Sequence, residues 1–332
     1  MRPVFDMHCD TIHAIYRALQ DENRVHGKVR EKCEKNSLRE NCYQVDLQKM
    51  KQGGYGLQCF AIYVNQEEHD TPVISAKKQI EIFQRKMEEN SNDIRQIFTG
   101  ADLLENEKAE RMSALLTIEG GEACHGEIEK LHDYYEKGVR MMTLTWNYEN
   151  DLAYPNHVRE NVCETNLGLK EQGYIFIEEM ERMGMMIDVS HLSDAGFFDV
   201  AAHTTRPFLA THSNARSKTD SVRNLTDEMI RIIADRGGVI GLNFCPHFLC
   251  SPGGKNREQS KISDMIRHVK QLYSVGGIEC IGLGSDFDGI EGELEIKDCS
   301  QIYKLEDALV KAGFSALEID RIFYKNVRRI IH

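Results

Sequence analysis

The 332 residues hold 41 Lys and Arg against 53 Asp and Glu, a formal charge of −12. That acidic balance excludes a general nucleic-acid binder, which needs a basic face. With 41% hydrophobic and 28% charged residues, the composition is that of a folded globular chain, long enough to bury a large core without disulfides.

In chain order, the first apolar run is Pro3–Met7. Asp21–Gln44 is too polar and too long for a routine connection, so an insertion at about 21–44 is expected above the mouth of the fold, as a lid or as a solvated loop. Leu57–Val64 reads as the second strand, and TPVISAKKQIEIFQRKMEE beyond it as an amphipathic helix. Ser113–Ile118 and Val139–Thr145 are further strands, and NLGLKEQGYIFIEEMERMG is a helix that Gly184 stops directly before the strand Met185–Val189. After Pro207–Ala210, LTDEMIRIIADRGG offers Thr226 as N-cap and Gly237–Gly238 as terminator, leading into Val239–Phe244. Pro252–Gly254 with Lys255–Glu258 reads as a second exposed loop before the last strand, Cys280–Gly284.

These eight runs are mostly continuous in apolar residues, as parallel strands covered on both faces must be. Strand and helix alternating in this way predict an α/β fold of the (β/α)₈ TIM-barrel type, one domain spanning 1–332. A miscount by one strand would leave a doubly wound sheet as the alternative.

Chemistry in such barrels sits where strands end and loops begin. The first strand runs into His8-Cys9-Asp10, and residues i and i+2 of an extended chain point the same way, so His8 and Asp10 can grip one cation. Imidazole nitrogen with carboxylate oxygen is a mixture that zinc accepts. Glu119 closes an apolar strand, where a carboxylate is costly to bury without a cation or ion pair; it is either a bridge between two metals or a carboxylate at a helix start, and Glu122 competes with it. His191 and His212 each follow a hydrophobic strand directly and point to a second metal, with His13 and His125 as further possibilities. Asp286 is the natural proton shuttle; Asp288 shares its motif but belongs to an Asp-Gly turn signal.

Taken together, HCD at the first strand end, IEGGEA, DVSH, ATHSNAR and GLGSDFDG resemble the membrane dipeptidase (renal dipeptidase) family of zinc peptidases, from about Asp6 to Gly289. The resemblance implies a metallo-dependent hydrolase-like barrel with two Zn²⁺ per chain. His8 and Asp10 would hold one ion, His191 and His212 the other, and Glu119 would bridge them. It also implies that Arg223 binds the dipeptide's terminal carboxylate, which a guanidinium meets with two parallel donors. Where characterised members often carry a histidine after TLT, this chain has Trp146, whose indole N–H donates but cannot accept. Trp146 and the neighbouring Asn147 are the candidate substrate contacts at that position.

The expected function is therefore a dipeptidase in which a hydroxide bridging two zincs attacks the peptide carbonyl, with tolerance of a D-residue at the C-terminal position. The alternative is an amidohydrolase-type barrel acting on cyclic amides, lactones or phosphotriesters, many of which use a carbamylated lysine as bridge; no lysine ends a middle strand here. The N-terminus lacks the long apolar core of a secretory signal, no stretch approaches a membrane span, and the C-terminal RIFYKNVRRIIH is too basic for a lipid-anchor tail. The ten cysteines include no C-x-x-C pair, and a reducing cytoplasm is the expected setting. The expected partner is a small dipeptide, without nucleic acid or membrane; homodimers are common in the family.

Overall fold

A computed structural model of the chain describes residues 2–24, 35–67, 70–156, 158–159, 162–163, 166–250 and 258–331. A parallel sheet runs in the spatial order Met186–Asp188, Val139–Thr143, Met112–Glu119, Tyr55–Tyr63, Val4–Asp6, Ile281–Leu283 and Ile240–Leu242. Two single bridges continue it across the remaining gap: Leu209 pairs with Asp188 on one side and Ala210 with Ile240 on the other, both parallel. Each of the eight apolar runs thus takes its place in a (β/α)₈ arrangement, the sixth as a bridging segment rather than a full strand. Short strands also lie outside the eight runs: two small pairs, Val158–Arg159 with Val162–Cys163 and Gln259–Ser260 with Glu293–Leu294, and one strand on the main sheet itself. Ile94–Gln96 pairs with the start of Met112–Glu119, and three residues of which only Ile94 is fully buried leave little hydrophobic pattern to read.

Met112–Glu119 is buried at every position, the signature of a strand covered on both faces. The helix Glu171–Met183 ends on Gly184 in the left-handed region, φ 75°, a conformation glycine adopts without penalty. Thr226 caps Asp227–Asp235 by accepting a hydrogen bond from the Met229 amide. A buried cluster joins Phe5, Leu57, Leu115, Met141 and Leu209 of the sheet to Val327 and Ile330 of the last helix, so apolar packing braces the sheet from the C-terminus. The helix Thr11–Arg24 extends into the stretch expected as an insertion; residues 25–34 lie outside the described ones, as does the exposed loop expected around Pro252–Gly254. Among the described residues no helix is long and apolar enough to cross a membrane.

Candidate metal centre

Six side chains from five strand ends meet at one rim, and all are buried: His8, Asp10, Glu119, His191, His212 and Asp286. Two of them, His191 and Asp286, sit at φ 67° and 64°. Non-glycine residues rarely hold the left-handed region unless the surroundings impose it, and such residues cluster at functional sites.

Glu119 lies at the centre. Its Oε1 is 3.1 Å from His191 Nε2 and 3.2 Å from His212 Nε2, and those two nitrogens are 3.0 Å apart. Its Oε2 faces the other way, 3.6 Å from His8 Nε2. His8 Nε2 in turn lies 3.6 Å from Asp10 Oδ2 and 3.9 Å from Asp286 Oδ1. The His8 and His212 rings stack with centroids 3.9 Å apart.

The two halves differ in charge. Burial first, and then the Arg223 guanidinium, bring His191 down to about 4. Burial and the neighbouring His8 hold His212 well below its ordinary value. Burial also opposes a charge on His8, but Glu119 and Asp10 outweigh it and hold that imidazole well above its usual value. Glu119 is held well below the usual carboxylate range, His8, His191 and His212 overcoming the effect of burial. Burial raises Asp286 to about 7.

Hydrogen bonds fix where the ring protons sit. Thr211 Oγ1 lies 2.6 Å from Asp188 Oδ2, to which it donates its one proton. At its 2.8 Å contact with His212 Nδ1 the hydroxyl oxygen must therefore accept, which places the imidazole proton on Nδ1 and the lone pair on Nε2. His191 Nδ1 is 2.9 Å from Asn147 Oδ1, an acceptor that holds this ring in the same tautomer. Asn243 orients Asp286, donating from Nδ2 to Asp286 Oδ2 at 2.9 Å while its own Oδ1 accepts from the Cys245 amide.

The other candidates are placed as follows. Asp288 turns away from the rim, accepting from Thr11 Oγ1 and the Gln44 amide, both at 2.6 Å. Glu122 is buried in a short 3₁₀ turn and accepts from Asn150 at 2.9 Å; burial raises its carboxyl to about 7. His125 is exposed and pairs with Asp151. His13 packs edge-on against Tyr63. Arg223 is buried rather than on the surface, its guanidinium 5.2 Å from the centroid of the Phe248 ring, with Nη1 near Ser213 Oγ and Nη2 near the His212 carbonyl. Its Nε is buried without a partner among the described residues. Trp146 packs against Tyr63 and Tyr148, 6.1 Å from the His191 ring. Asn147 is half-buried, with its Oδ1 against His191 Nδ1. Asp188, Thr211 and Asn243 carry nothing that marks a role in the sequence, apart from the carboxylate of Asp188 at the end of an apolar strand, the same signal that singles out Glu119.

This donor set fits metal ions. His8 Nε2 and Asp10 Oδ1 are buried and lack hydrogen-bond partners among the described residues, which is costly unless something else satisfies them. The groups His8, Glu119, His212 and His8, Asp10, Asp286 each bring their ligand atoms within 4.8 Å of one another. The His191 and His212 imidazoles, each with its Nε2 lone pair free, beside carboxylates are ligands a borderline divalent cation takes.

A parallel (β/α)₈ fold with such a cluster at its strand ends is that of a metal-dependent hydrolase. The sequence profile of the membrane dipeptidase family, peptidase family M19, matches residues 1–332, and the chain belongs to that family of metallodipeptidases. An uncharacterized dipeptidase of Schizosaccharomyces pombe is 31% identical over 299 residues, covering 86% of this chain and 71% of the relative. The crystal structure of dipeptidase AC, a metallopeptidase of family M19, superposes with a TM-score of 0.84 at 26% identity, over 99% of this chain and 97% of that one. A metallopeptidase from Rhodobacter sphaeroides, solved with a phosphinate mimic of the dipeptide L-Ala-D-Ala, shares the fold with a TM-score of 0.84 at 24% identity, over 99% and 98% of the two chains.

Proposed function

We propose that this metallodipeptidase is a binuclear zinc enzyme that hydrolyses dipeptides, including those with a D-residue at the C-terminal position. The observation that carries the proposal is the division of Glu119. One oxygen faces His191 and His212, the other faces His8, which is the disposition of a carboxylate shared between two cations. His8 and Asp10 would hold one ion, His191 and His212 the other. Bound there, zinc supplies an acidified water and a Lewis acid for the peptide carbonyl.

The remaining work falls to this chain's own groups. Asp286, raised to about 7 by burial, takes the proton of the attacking water and delivers it to the departing amine near neutral pH. Arg223, whose Nε has no hydrogen-bond partner among the described residues, would bind the substrate carboxylate. Trp146, with Tyr63 and Tyr148, offers an apolar wall beside His191 where an imidazole would have offered a second proton carrier. Asn147 acts through His191, whose ring it orients.

The test is a panel of L,L and L,D dipeptides alongside lactones and cyclic amides, with zinc content measured on the same sample. Two zinc equivalents and turnover of both dipeptide stereochemistries are expected. Activity on the lactones or cyclic amides alone, or full turnover with one equivalent of metal, would overturn the reading.

A further inference from the structure

Asp188 is fully buried, and both its oxygens are saturated with donors. Oδ1 accepts from the Ser190 amide at 3.0 Å and the Thr211 amide at 2.9 Å. Oδ2 accepts from Thr143 Oγ1 and Thr211 Oγ1, both at 2.6 Å. The carboxylate lies beneath the rim and touches none of the six clustered side chains directly. Its link to them runs through one hydroxyl, because Thr211 Oγ1 is also 2.8 Å from His212 Nδ1.

We propose that Asp188 is a positioning residue that sets the tautomer of His212. By taking the only proton of Thr211, the carboxylate compels the hydroxyl to accept from His212 Nδ1–H, so that Nε2 faces Glu119 with its lone pair free. This deepens the metal-centre reading and rests on it. An amide in place of the carboxylate reverses the relay. The amide nitrogen cannot face the two backbone N–H groups, which are fixed, so it must face the two hydroxyls, which can turn. Thr211 then accepts from the amide and directs its own proton at His212 Nδ1, which must give up its proton. The ring becomes the Nε2–H tautomer and its lone pair points away from the metal position.

The experiment uses the full chain with its histidines labelled with ¹⁵N, stripped of metal by chelation, the His212 ring signals identified by their loss in His212→Gln. Wild type should show His212 protonated on Nδ1 and Asp188→Asn should show it protonated on Nε2, with zinc affinity by calorimetry lowered roughly 10- to 100-fold. An Asp188→Asn protein that keeps the Nδ1–H form, or binds zinc within twofold of wild type, overturns the proposal. Should that variant fail to fold, Thr211→Val and Thr211→Ser decide. Valine removes the relay while leaving Asp188 three donors and should weaken zinc binding as much, and serine should restore it; unchanged affinity in Thr211→Val refutes the relay. A wild-type protein that takes up no zinc refutes the metal-centre reading instead, and the ring signals still judge the relay.

Discussion

Adding one methyl group at Gly289 should disable the His8 half of the centre while sparing the fold. A Cβ there would lie 2.1 Å from Asp10 Oδ2 and 2.8 Å from Asp286 Oδ1, against a practical limit of 3.0 Å. Asp10 Oδ2 must then retreat by at least 3.0 − 2.1 = 0.9 Å and Asp286 Oδ1 by 3.0 − 2.8 = 0.2 Å. Gly289 is exposed and its own φ lies outside the left-handed region, so alanine strains neither backbone nor core. A misplacement of about 1 Å at a reacting centre costs on the order of 10²-fold, about 2.7 kcal/mol of transition-state stabilisation. The assay is kcat on a dipeptide, zinc content after dialysis and a thermal melt, all on Gly289→Ala. Loss of close to one zinc equivalent, a hundredfold lower kcat and an unchanged melting temperature are expected. Full zinc with turnover within about threefold of wild type would refute the argument, and so would a collapse of the melting transition, since the damage should reach only two carboxylates.

Removing an imidazole from the other half should act on the second ion alone: His191→Ala or His212→Ala should lower zinc content from two equivalents to one and abolish most turnover, measured by metal analysis beside activity. Arg223→Lys keeps the charge but loses the planar fork; a hydrogen bond to a charged group is worth about 1.5–3 kcal/mol, so KM for a free dipeptide should rise roughly 10- to 100-fold with kcat changed less, and an unaltered KM would remove Arg223 from the substrate. His268 makes a separate prediction about stability. Its Nδ1 accepts from the Ala215 amide and its Nε2 faces the Leu249 carbonyl at 3.2 Å, so the buried ring must stay neutral, and burial lowers it from 6.5 to about 4. The folded state therefore binds the proton less readily than the unfolded one. Stability is fully present above pH 6.5 and is lost as pH falls towards 4, by at most (6.5 − 4) × about 1.4, or roughly 3 to 4 kcal/mol. Denaturant unfolding of His268→Gln should lack that slope between pH 6.5 and 4, and parallel curves for the two proteins would contradict the assignment.

Most of the sheet was legible because a strand covered on both faces has to be apolar almost throughout, and Met112–Glu119 or Ile281–Leu283 cannot be disguised. The helix ends at Gly184 and Thr226 were legible for a local reason: the left-handed cap and the side-chain cap are satisfied within a few residues of the chain. The Ile94–Gln96 strand is too short to carry a pattern, while the run Pro207–Ala210, read as a strand, holds the sixth position by single bridges at Leu209 and Ala210. The clustered imidazoles and carboxylates could be proposed because each ends an apolar run, where an ionisable group requires explanation.

What the sequence could not reveal is the layer that orients them. Thr143, Asp188 and Thr211 come from three different strand ends and share one carboxylate oxygen, while Asn243 reaches Asp286 across a separation of 43 residues. Thr143, Thr211 and Asn243 are of types unremarked at a strand end, since a threonine or asparagine there satisfies ordinary turns. Their role exists only once the sheet curls and brings the strands together. The same curling explains the strained φ values of His191 and Asp286: a strand that simply continued would carry their side chains past the rim. A left-handed residue at that point turns them inward, and the hydrogen bonds from His191 to Asn147 and from Asn243 to Asp286 hold them there. A geometry so dependent on long-range closure should be lost as a unit when the sheet opens, so metal affinity and global unfolding are coupled in this fold by construction.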